Sequence, residues 1–153
     1  EFTAVVSALG RLSLWQESLA LLREMSEKGV RPDLRAYGSA IGACQQGFQW
    51  QMGFVLLREM RGQRLTPNLI CHSSIISACA RRSQWSWALH TFNEARAMNL
   101  KLDVAAFSSV MGACERGSRG RVALTLMEEA KLSSVQLDVI CYVAAVSACR
   151  YDG

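Results

Sequence analysis

The chain has 153 residues, 50% apolar and 20% charged, with 17 Lys and Arg against 13 Asp and Glu for a net charge of +4. That balance excludes a disordered chain, and no apolar run approaches the roughly 18 residues that a membrane-spanning helix needs. Fourteen of the cations are arginines, whose planar forks suit phosphate and base stacking, so the charge mildly favours an anionic partner.

In chain order, Phe2, Val5, Val6 and Leu9 stand at i, i+3, i+4 and i+7, which predicts a first helix, A. Gly10 is expected to close it in the left-handed conformation. Ser13 is expected to cap a second helix, B, with Gln16 completing a capping box. Leu19, Leu22 and Met25 supply the apolar face of B. Pro32 forces its predecessor into an extended conformation, and Asp33 then stands where an N-cap opens the next helix A.

The same phrase then recurs. A shift of 35 residues aligns Phe2, Tyr37, His72, Phe107 and Tyr142, then Ala8, Ala43, Ala78, Ala113 and Ala148. It also aligns Trp15, Trp50 and Trp85, and the Glu24, Glu59, Glu94 and Glu129 column. Phe54, Leu57 and Met60 carry the second helix B, Gly47 and Gly117 the later A closures, and Ser83 a later B cap. Asn68, Asp103 and Asp138 repeat the N-cap of Asp33. A fixed period of this size means a stacked array in which each unit buries its apolar face against its neighbours. The units are 1–33, 34–68, 69–103, 104–138 and a partial unit 139–153, whose lone helix A runs from Asp138 to Arg150. The expected fold is all-α, a solenoid of antiparallel helix pairs with no strand.

Cys44, Cys79, Cys114 and Cys149 follow the 35-residue spacing, and Cys71 and Cys141 lie 70 apart. They read as packing residues, since no pair has zinc-knuckle spacing and a chain with this much apolar content needs no disulfide framework. Ala and Cys allow close helix approach, and the Trp column is expected to fill the gap between helices A and B. The GSRGR stretch, Gly117 to Arg121, follows a helix rather than a strand, so it is no nucleotide loop, and its glycines read as turn residues. His72 and His90 have no partner at metal or triad spacing. The chain is expected to hold no cofactor, no metal and no catalytic residue.

One stripe of helix A is not explained by packing. It comprises Thr3, Ser7 and Arg11, then Gly38, Gly42 and Gln46, then Ser73, Ser77 and Arg81, then Ser108, Gly112 and Arg116. Stacking would set these stripes side by side as a ladder of open, small polar groups edged with positive charge. A polymer with a regular anionic backbone matches such a ladder.

The 35-residue unit, its aromatic opening, its SAC-like centre, the EM or EA near the end of helix B and the Gly29 to Tyr37 junction (GVRPDLRAY) closely resemble the pentatricopeptide repeat. The resemblance covers essentially the whole chain, with departures: Leu102 and Leu137 replace the junction proline, Gly120 the column Trp, and His72 the aromatic. It implies a right-handed superhelix that binds single-stranded RNA, one base per unit. The base readers it implies are Thr3 with Asp33, Gly38 with Asn68, Ser73 with Asp103, and Ser108 with Asp138. Arg35, Ile70, Ala105 and Ile140 would flank the bases, and Arg11, Arg81 and Arg116 would contact phosphates. The rival expectation is a scaffold that binds a protein segment in its concave groove; Gly38, Gly42 and Gln46 lean that way. A third is a purely architectural segment.

The start, EFTAVVSALGRLSLW, has no initiator methionine, basic leader or cleavage site, which points to an internal piece of a longer chain. Other proteins could bind elsewhere on that parent chain. The resemblance alone implies a mitochondrial or chloroplast location.

Overall fold

The computed structural model describes residues 1–151, which form nine α-helices and no strand. The helices are α1 (Phe2–Arg11), α2 (Trp15–Glu27), α3 (Leu34–Gln46), α4 (Trp50–Gly62), α5 (Leu69–Arg81), α6 (Trp85–Ala97), α7 (Val104–Arg116), α8 (Gly120–Leu132) and α9 (Val139–Arg150). Odd-numbered elements are the expected A helices and even-numbered ones the B helices. The chain divides into two compact units, 1–78 and 79–153, at a point inside α5. In the first, α1 packs on α2 and α3, and α3 on α2 and α4. In the second, α7 packs on α6, α8 and α9, and α8 on α9.

Each A helix after the first opens on its expected cap. The backbone N–H groups of Ala36, Cys71, Ala106 and Cys141 donate to Oδ1 of Asp33, Asn68, Asp103 and Asp138 at 2.8, 3.1, 3.0 and 3.0 Å. These bonds satisfy N–H groups that a helix start leaves unpaired.

Helix ends depart from the expectation. Gly47 and Gly117 have φ of −78° and −89°, and Gly10 lies within α1. The left-handed residues of the A-to-B turns are instead Ser13, Phe48, Ser83 and Ser118, and those of the B-to-A turns are Gly29, Arg64, Asn99 and Ser134. The following N–H bonds back five residues, as Leu14 to Leu9 O at 3.1 Å and Val30 to Met25 O at 2.8 Å. This 6→1 bond recurs at all eight turns and satisfies carbonyls that the helix end leaves open, which offsets the strain of a left-handed non-glycine residue. Ser13 and Ser83 therefore do not cap helix B: the caps of α2 and α6 are Leu14 and Gln84, without side-chain bonds. The Ser13 hydroxyl donates instead to Gln46 Oε1 at 2.5 Å.

The glycines earn their place by close approach. A Cβ on Gly47 or Gly117 would collide with the indole of Trp15 or Trp85, and one on Gly10 would meet Ser39 O at 2.7 Å. The indoles of Trp15 and Trp85 thus pack against the next repeat rather than only between the two helices of their own. Gly120, at the start of α8 and not in a turn, lets the α9 backbone approach at Cys149. The column cysteines Cys44, Cys79 and Cys114 are buried to 1% exposure or less. Burial pushes their thiols to about 11, 12 and 11, so they stay protonated and act as packing atoms.

Candidate nucleic-acid interface

The A helices place most of the stripe within reach of solvent. Thr3, Gly38, Asn68, Ser73 and Ser108 are half-buried; Asp33, Asp103 and Asp138 are exposed. Arg35, Ile70, Ala105 and Ile140 are exposed, as are Arg11, Arg81 and Arg116.

Of the expected reader pairs, Gly38 and Asn68 are brought together most plainly. A cleft of about 560 Å³ is lined by Gly38 and Asn68, by both flanking side chains, Arg35 and Ile70, and by Asp33, Leu34 and Ser39. The Cβ that Gly38 lacks would meet no atom within 4 Å, and the same holds for Gly42, one turn along. No packing demand therefore requires glycine at either place, although each weakens a helix interior by roughly 1 kcal/mol. Asn68 is held from two sides: its Oδ1 caps α5, and its carbonyl accepts from His72 N and, at 3.0 Å, from His72 Nδ1. The amide Nδ2 of Asn68 is not used by the cap. The histidine that replaces the column aromatic thus helps fix Asn68, a contact that the sequence pattern did not reveal.

The fourth pair is linked differently. The buried Cys141 thiol lies beside both the Asp138 carboxylate and the Ser108 hydroxyl. Burial pushes that thiol up and Asp138 raises it further, while the Ser108 hydroxyl acts the other way. In return, the Cys141 thiol and backbone N–H hold the Asp138 carboxyl below its usual value. In the caps of Asp33 and Asp103 only Oδ1 is engaged, which leaves Oδ2 for another partner, whereas the Asp138 carboxylate also meets the Cys141 thiol.

The ladder is less open than its spacing implied. Ser7, only 8% exposed, pairs with Ser39 at 3.1 Å, and Ser77 accepts from Gln45 Nε2 at 3.1 Å, so these two hydroxyls tie neighbouring A helices together. Ser73 Oγ is buried without a hydrogen-bond partner among the described residues, and must turn outward to meet a ligand. Arg116 donates from Nε and Nη2 to Ala80 O at 2.9 and 2.6 Å, a C-terminal cap on α5 that leaves Nη1 uncommitted. These engagements come from tertiary packing, so periodicity could not show them.

Among the described residues no three His, Cys, Asp or Glu side chains gather to hold a metal, and no helix is long and apolar enough to cross a membrane. The profile described as "Pentatricopeptide repeat domain" matches residues 20–82, and that of "PPR repeat" matches 2–30 and 70–100. The chain belongs to the pentatricopeptide repeat family. The fold agrees. The pentatricopeptide repeat protein PPR10 in complex with an 18-nt psaJ RNA element superposes with a TM-score of 0.78, at 24% identity over 96% of this chain and 22% of its own. PPR10 from maize gives 0.77 at 21% identity, over 95% of this chain and 21% of its own. The PPR domain of Arabidopsis thaliana protein-only RNase P 1, in complex with tRNA, gives 0.85 at 13% identity, over 98% of this chain and 81% of its own. The chain thus spans about a fifth of the PPR10 structures, and likeness at these identities concerns the fold. No curated protein sequence is a significant match.

Proposed function

We propose that this repeat array binds single-stranded RNA, one base per repeat, and that it serves RNA processing, editing, stability or translation in a mitochondrion or chloroplast. The observation that carries this reading is the cleft in which Gly38, Asn68, Arg35 and Ile70 converge without any packing reason for the glycine. An unstacked base fits between Arg35 and Ile70, with the guanidinium and the aliphatic chain on its two faces and an amide at its edge. The RNA complexes of PPR10 and of the RNase P domain support RNA binding by this fold.

Thr or Ser paired with Asp presents an acceptor to the N–H groups on the Watson–Crick edge of guanine. Asn exchanges bonds with adenine. The preferred sequence is then 5′-G-A-G-G-3′ from the first repeat to the fourth. The phosphates run past Arg11, Arg81 and Arg116, the last through its free Nη1. The array works by binding and contributes no catalytic group.

Asp103→Asn tests the reading, because it changes one reader and keeps a competent N-cap. Quantitative binding to 5′-G-A-G-G-3′ and to every RNA that differs from it at one position should show the third position moving from guanine to adenine, the others unchanged. Equal loss on all RNAs, or no change, would leave Asp103 as a cap alone.

A further inference from the structure

The B helices carry a second surface that RNA binding does not use. Glu occupies one column in every complete repeat, Glu24, Glu59, Glu94 and Glu129, and two residues on, the next column reads Ser26, Arg61, Arg96 and Lys131. In the second unit, Arg96 of α6 forms an ion pair with Glu129 of α8. The space beside it, lined by Phe107, Leu102 and Ser133, is about 170 Å³.

At the matching place in the first unit the cation is missing. Ser26 of α2 faces the groove toward Glu59 of α4, and its hydroxyl turns back to Leu22 O at 3.2 Å. Glu59 has no ion pair among the described residues. The groove is about 610 Å³, floored by Leu19, Leu22, Met52 and Val55, with Arg23 and Glu27 at its rim. Its carboxylate acts on Tyr37, in the position of Phe107: burial first, then the Glu59 charge, holds the phenol above its ordinary value.

We propose that the α2–α4 groove docks a segment of a protein partner that inserts one arginine beside Glu59, where Arg96 stands in the second unit, with aliphatic neighbours on Leu19, Met52 and Val55. Charge complementarity names the occupant. The molecule itself fills the equivalent place with a guanidinium, and Glu59 and Glu27 outweigh the single Arg23, which leaves the groove net negative and disfavours a nucleic acid. The apolar floor gives the rest of the contact its hydrophobic area.

The test uses the whole chain and a helical peptide of about 15 residues with one arginine flanked by leucines three and four positions away, beside the same peptide with glutamine in place of arginine. In amide NMR titrations the arginine peptide should shift Leu19, Met52, Val55 and Glu59, with a Kd at least about tenfold below that of the glutamine peptide. Glu59→Gln should remove that difference. Ser26→Arg, which supplies the missing cation from within, should abolish binding while leaving the thermal transition and RNA binding intact. No binding, equal affinity for the two peptides, or binding that survives Ser26→Arg would overturn the proposal. Displacement of the peptide by single-stranded RNA would overturn it in favour of a nucleic-acid surface.

Discussion

Helices α3 and α7 hold the same place in their respective units and differ chiefly on one face. Each opens on an Asp cap, at 2.8 and 3.0 Å, and each closes at a glycine pressed by a tryptophan of the preceding repeat. Tyr37, Ile41 and Cys44 in α3, and Phe107, Met111 and Cys114 in α7, are all exposed by 3% or less. On the remaining face α3 carries Gly38, Gly42 and Gln46, where α7 carries Ser108, Gly112 and Arg116. The three buried positions stay apolar because they pack in the core, whereas the stripe is less buried and so is freer to differ in polarity and charge from repeat to repeat.

The largest expected effects test the shared scaffold. Gly47→Ala and Gly117→Ala should each destabilise by about 1–3 kcal/mol in urea melts, because the added methyl overpacks against an indole in a rigid contact. Gly42→Ala, which meets open space, should instead stabilise by up to about 1 kcal/mol. If Gly47→Ala and Gly117→Ala differed widely, the two helices would not be equivalent frames.

The caps come next. Asp33→Ala and Asp103→Ala should each lose about 1 kcal/mol, whereas the Asn variants should lie near wild type in the same melts. A large loss in Asp103→Asn would tie that carboxylate to more than the cap.

On the variable face, Arg116→Gln should flatten the log–log salt dependence of RNA binding by about 0.7, and Gln46→Arg should steepen it by a similar amount. Unchanged slopes would leave Arg116 as a cap on Ala80 alone.

The smallest effect concerns Asp138. Its folded-state pKa is lowered from 3.8 by the thiol and backbone N–H of Cys141, so the stability it contributes is present above that value and is lost as pH falls below it. Asp138→Asn should therefore soften the acid limb of the stability curve below pH 3.8 and leave neutral pH little changed. An identical acid limb would show that Asp138 titrates alike in both states.

Much of this was legible in the sequence. The 35-residue period, the helix pairs, the four N-caps and the burial of every cysteine except the exposed Cys149 depend on local spacing and on chemistry that each repeat states again. Gly38, Asn68, Arg35 and Ile70 were picked out by the resemblance to the pentatricopeptide repeat rather than by the period, and they line one cleft. The helix ends were misread because glycine is the usual left-handed closer. Here a Schellman bond supports Ser13, Phe48, Ser83 and Ser118 in that conformation.

What the sequence determined alone is therefore the periodic part: element type, order, cap and column. Only the tertiary structure decided how each polar group is spent. Ser7 goes to Ser39, Ser77 to Gln45, Arg116 to Ala80, and Arg96 to Glu129, while Glu59 is left with none. The physical reason is range. A helix and its cap are settled within four residues, whereas each of these pairings joins groups some thirty residues apart, and depends on the distance and angle at which two packed helices meet.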